Sequence, residues 1–131
     1  MLLTAMMVIA SHVWDARIEP LVDAVAQVES RGNARAVGDQ GKAIGVLQIH
    51  EITVRDANRI MRVNRDKSRP QFNLEDRWDP EKSREIFTII AMHYSLNESD
   101  EVIARRWNGG PGGDRRRSTM GYWNKVKKEL K

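Results

Sequence analysis

Residues 17–33 read RIEPLVDAVAQVESRGN, and this stretch decides the fold. Ile18, Leu21, Val22, Val25, Ala26 and Val28 recur at helical spacing, which predicts an amphipathic helix from about Arg17 to Ser30. Pro20 fits its first turn, and Arg31-Gly32-Asn33 ends it, because Gly and Asn tolerate a left-handed cap. Glu29 falls four residues after Val25 and seven after Val22, on the helix's own apolar stripe. A carboxylate there points at the core or at a cleft lined by core residues. Removal from water disfavours its charged form, and an acid that keeps its proton near neutral pH is what general acid catalysis requires. The alternative is an acid at a helix end, paired with Arg31 or simply solvated.

Working outward, the pattern stays helical. Gly38-Asp39-Gln40-Gly41 is a turn sequence between short apolar stretches and predicts a small hairpin or irregular loop. A helix is expected from about Thr53 to Arg62, with Thr53 and Asp56 as its capping box. Lys67 to Asp76 reads as a loop. Asp79-Pro80 is a helix start, cap then first-turn proline, with Ile86, Phe87, Ile90, Ala91 and Tyr94 as the buried stripe. Ser99 or Asp100 caps a short helix carrying Val102, Ile103 and Trp107, and Asn108 to Gly113 reads as a loop. A last helix from about Thr119 puts Tyr122, Trp123, Val126 and Leu130 on one face. The expected architecture is mainly α, a single domain over 17–131 with one small β element.

Composition narrows the chemistry. The 131 residues are 40% hydrophobic and 31% charged, too apolar for a disordered chain and long enough for one core. The absence of cysteine excludes disulfides, thiolate nucleophiles and Cys-bound metals, and His12, His50 and His93 lack ligand-like spacing, so no metal or cofactor is expected. Asp114 to Lys131 holds seven basic residues against two acidic ones, a local charge of +5; the remainder holds fifteen basic against sixteen acidic. That end suits an anionic partner or is a solvated helix face. Met1 to Ala10 is far too short to span a bilayer, which takes ~20 apolar residues. Residues 1–16 read as a signal peptide cleaved near Val8-Ile9-Ala10, lacking the usual positive start, or as an N-terminal helix; export is the favoured reading.

Four stretches then stand in order. Glu29-Ser30-x-Gly32-Asn33 is followed by Ala43-Ile44-Gly45-Val46-Leu47-Gln48-Ile49. After it come Ala104-Arg105-Arg106-Trp107-Asn108-Gly109-Gly110-Pro111 and Tyr122-Trp123-x-Lys125-Val126. Together they resemble the goose-type lysozymes and lytic transglycosylases that cleave peptidoglycan, over about Val22 to Val126. The resemblance implies a lysozyme-like fold with a glycan cleft. It implies Glu29 as the catalytic acid, and Ser30, Gln48, Trp107, Asn108 and Tyr122 as residues that position or bind substrate. Amides such as Gln48 and Asn108 can both donate to and accept from sugar hydroxyls and acetamides. Trp107 stands where the family usually has Tyr, and Leu47 where Met is common. Trp14, Trp78 and Trp123 read as packing residues, with Trp78 the best candidate for a sugar platform.

The resemblance leaves two reactions open. Lytic transglycosylases manage with one acid, which protonates the glycosidic oxygen and then takes the proton of the C6 hydroxyl, leaving a 1,6-anhydro end. An inverting goose-type lysozyme needs a second carboxylate, for which Asp39 or Glu51 is the candidate; His50 occupies a position where relatives carry an acid. The transglycosylase is the favoured reading, with the hydrolase second and a non-catalytic peptidoglycan-binding domain third. The expected partners are glycan strands, with anionic wall polymers held by the basic C-terminus. Nucleic acid is not expected, and a monomer is. The expected place of action is the periplasm or cell wall, reached by export or as a phage endolysin.

Overall fold

A computed structural model describes residues 2–130, with side chains from Trp14 onward. The long helix α1 (Leu2–Ser30) is followed by a two-stranded antiparallel hairpin, β1 (Val37–Gly38) and β2 (Ala43–Ile44). Four more helices complete the order: α2 (Glu51–Val63), α3 (Pro80–Ser95), α4 (Asp100–Gly109) and α5 (Met120–Glu129). This is a mainly helical, lysozyme-like domain with a small hairpin, as the sequence predicts. Among the described residues, no helix is long and apolar enough to cross a membrane.

The predicted stripe of α1 is the centre of the core. Ile18, Leu21, Val22 and Val25 are at most 2% exposed and pack with Leu47, Phe87, Ile103 and Val126 from the other elements. Burying an aliphatic side chain of this kind contributes ~1.5–3 kcal/mol. One boundary differs from expectation: α1 does not start near Arg17 but runs through Pro20. An interior proline removes one helical hydrogen bond and costs ~3 kcal/mol. Trp14, only 6% exposed, and Ile18 lie on the N-terminal side of Pro20 and join the core, so the cost of continuing the helix is offset by packing. The side chains of 1–13, on which the signal-peptide reading of 1–16 rests, lie outside the described residues.

Other boundaries follow local capping. Asp79 accepts from the backbone N–H groups of Glu81 and Lys82, with Pro80 in the first turn of α3, and Ser99 accepts from Val102 N–H to cap α4. The Thr53–Asp56 box does not form. Helix α2 begins two residues earlier, because the carbonyl of His50 already accepts from Thr53 and Val54. Asp56 instead takes the Tyr94 hydroxyl at 2.8 Å and Arg59. A capping box forms where a loop was expected: Asn73 and Asp76 bond each other's backbone and close a 3-10 turn over Leu74–Trp78.

That turn clamps the segment after the hairpin. Arg77 Nη1 donates to the carbonyl of Ile49 at 3.2 Å, and the Arg77 carbonyl sits over Gly45, which has φ +81. A Cβ at Gly45 would meet that carbonyl oxygen at 2.0 Å. Gly45→Ala is therefore expected to lose about 2 kcal/mol or more in urea unfolding, from strain and collision together. Gly41→Ala has φ +90 but open space around it, so it should lose only the ~1 kcal/mol of left-handed strain.

Candidate active site

Glu29 is the penultimate residue of α1 and faces a cavity of about 460 Å³. Asp39, Gln48, His50, Asn108, Tyr122 and Lys125 share its wall. Burial pushes the Glu29 carboxyl from its ordinary 4.5 up to about 7, and the Tyr122 hydroxyl holds it back from rising further. Burial first, then the neighbouring Glu29 charge, hold the Tyr122 phenol above its own ordinary range. The Tyr122 oxygen is buried, and no acceptor meets it at full hydrogen-bond geometry. The Tyr122 hydroxyl and the Glu29 carboxyl are neighbours in this cavity, each shifting the other's titration.

The scaffold fixes each wall. Ser30 donates to the carbonyls of Val46 (2.8 Å) and Ala26 (3.2 Å), tying the end of α1 to the segment that carries Gln48. Gln48 adopts φ +50, and its Nε2 donates to the carbonyls of Ala36 and Gly45 at 3.2 and 3.0 Å. Both amide hydrogens are thereby used, so Gln48 can offer a ligand only its oxygen, not the donor and acceptor pair the sequence suggests. Gly38 makes room for it: a Cβ there would lie 2.3 Å from Gln48 Oε1. On the opposite side, Arg105 Nε donates to Thr119 Oγ1 at 2.8 Å, and Thr119 donates to the Gly113 carbonyl at 2.7 Å. These bonds lock α5 to α4 and so place Tyr122.

The structure sorts the sequence candidates. Glu29, Gln48, Asn108, Tyr122 and Asp39 meet at one cavity. Asn108 and Gly109 belong to the last turn of α4, and the loop begins only at Gly110, because the Gly110 N–H closes onto the Arg106 carbonyl. Trp107 is turned away from Glu29. It packs on Phe87, with ring centroids 4.7 Å apart, and lines a neighbouring, mostly apolar groove of about 610 Å³ between α2, α3 and α4. Glu51 is outside the cavity lining and pairs with Arg55 across one helical turn. Ser30 acts on the backbone rather than lining the cavity. Trp14 and Trp123 are core residues and Trp78 is 42% exposed. In the sequence Lys125 stands out only as part of the basic end; its position three residues after Tyr122, on the same face of α5, is the signal that places it here. Among the described residues, no cluster of His, Asp or Glu could hold a metal ion.

A lysozyme-like domain built around one buried carboxylic acid is the class that this fold and site define. The chain belongs to the family described as Transglycosylase SLT domain, whose pattern matches residues 7–128, nearly its whole length. That family is one of peptidoglycan-related transglycosylases. No curated protein and no solved structure matches the chain.

The raised Glu29 pKa has a consequence for stability. The folded chain holds this proton up to pH 7 and the unfolded chain only up to 4.5, so Glu29 costs stability as pH rises through that window. The full cost above pH 7 is about 3 kcal/mol. Glu29→Gln is therefore expected to unfold at higher urea than the wild type at pH 8, with the two converging near pH 4.5. Equal midpoints at pH 8 would contradict the burial.

Proposed function

We propose that this protein cleaves the MurNAc–GlcNAc bond of peptidoglycan as a lytic transglycosylase, with Glu29 as both acid and base. The observation that carries the reading is a single carboxyl group balanced near pH 7 in a cavity of sugar size. Protonated, Glu29 gives its proton to the glycosidic oxygen as the bond from C1 breaks. Ionised, it takes the proton from the C6 hydroxyl of the same muramoyl unit, whose oxygen bonds C1. No water is consumed, and one group with a pKa near the working pH serves both steps.

The surroundings support this assignment. Asn108 is exposed at the cavity and makes no hydrogen bond among the described residues, so its amide is free to donate and accept. Gln48 Oε1 adds an acceptor, and Tyr122 steadies the carboxyl. The neighbouring groove offers Trp107, Ile52, Ile90 and Pro111 to the flat apolar faces of further sugars. Arg115, Arg116, Arg117, Lys125, Lys127 and Lys128 are exposed and form no ion pair among the described residues, which suits anionic wall polymers. On this reading the protein works as a monomer at the cell wall, reached by export or encoded by a phage.

Digestion of purified peptidoglycan followed by mass spectrometry tests the reading. The expected muropeptides are lighter by one water than hydrolysis products. Glu29→Gln should lower the rate by ~10² or more. The wild-type rate should fall as pH rises above about 7, where Glu29 loses its proton. An absence of cleavage, or cleavage indifferent to Glu29→Gln, would sink it.

A further inference from the structure

The cavity around Glu29 is also lined by a second pair of titratable side chains, His50 and Asp39. His50 precedes α2 as its N-cap residue, yet its side chain makes no capping bond to the helix. Its Nε2 lies 3.2 Å from Oδ2 of Asp39 instead. Asp39 comes from the turn between β1 and β2, where it and Gln40 have φ +48 and +57. A non-glycine residue in the left-handed region is strained, less so for Asp than for Gln. Strain of this kind collects where the surrounding structure holds a residue for a purpose. Here the turn carries the Asp39 carboxylate back to the imidazole, and both residues line the cavity. With its proton on Nε2, the nitrogen that faces the carboxylate, the imidazole has Nδ1 as a free acceptor. The two side chains are 41% and 58% exposed, so water reaches them.

We infer that His50, oriented by Asp39, holds a water in this cavity and acts as its general base, giving the protein a hydrolytic branch beside the anhydro-forming one. The inference rests on the reading of Glu29 as the acid. In this branch Glu29 gives its proton to the leaving oxygen and the bond from C1 breaks. The water oxygen bonds C1, and the water's proton passes to His50 Nδ1. One water is consumed and the product carries an ordinary reducing end. Asp39 is a positioning residue that holds the imidazole in the required tautomer, as a carboxylate does for a catalytic histidine elsewhere. Glu51 pairs with Arg55 and is not among the residues that line this cavity. The chain thus replaces a second catalytic carboxylate by an Asp–His pair. The outcome at C1 becomes a competition between the C6 hydroxyl and one held water.

The test is the ratio of reducing to anhydro ends released from peptidoglycan whose existing ends have first been reduced with borohydride. Wild type is expected to release both kinds, distinguished by the mass of one water. His50→Gln should lower the reducing-to-anhydro ratio by about 10-fold or more, and Asp39→Asn should lower it less. Circular dichroism on both variants confirms that they fold, and two variants from different segments guard against the loss of either. Wild type that releases anhydro ends alone, or variants with an undiminished ratio, would overturn the branch while leaving Glu29 in its role. Wild type that releases no ends would overturn both.

Discussion

The removal of one carboxyl group from water, at the end of the helix that also forms the core, is the constraint on which the site depends. Glu29 shares a stripe with Val22 and Val25, so the packing that buries the stripe also desolvates the acid. Its place in the last turn adds to this in sign, because the carboxyl end of a helix disfavours negative charge. The chain gives up stability at neutral pH to hold a proton there. Such local costs at a working site are the general pattern in proteins whose activity needs a strained or desolvated group.

Everything around the acid serves to hold a cavity open against that packing. Ser30 ties the helix end to the Gln48 segment, and Gly45 lets the Arg77 carbonyl clamp that segment from behind. Gly38 yields the space that the Gln48 amide fills. The Arg105–Thr119–Gly113 bonds fix α5, and with it Tyr122 and Lys125. These contacts are mostly side chain to backbone, which sets the walls rigidly while leaving the facing atoms of Asn108, Asp39 and His50 for a ligand. The cavity is therefore polar, whereas the Trp107 groove beside it is mostly apolar.

Much of this was legible in the sequence wherever a signal was local or periodic. The stripe from Ile18 to Val28, the Asp79-Pro80 start and the Ser99 cap are each fixed by residues within a turn of one another. So is the hairpin around Gly38-Asp39-Gln40-Gly41. What failed was decided by tertiary contacts. Pro20 reads as a helix start, yet the core contact of Trp14 carries the helix through it. Asp56 reads as half of a capping box, but Tyr94 and Arg59, brought in from α3 and from its own helix, take its carboxylate. Trp107 and Asn108 are adjacent in the chain and look like one wall. On a helix, consecutive side chains point about 100° apart, so they line two different cavities. The places of His50 and Lys125 in the cavity needed the fold, because only the fold brings the start of α2 and one face of α5 to the end of α1.

The central claim is that Glu29 is protonated near neutral pH because it is buried. A carbon-detected NMR titration of the Glu29 side-chain carboxyl in the intact protein measures this directly. The account expects an apparent pKa of about 7, rising further in Tyr122→Phe, which removes the group that holds it down. A titration near 4.5, the value of a solvated glutamate, would contradict it.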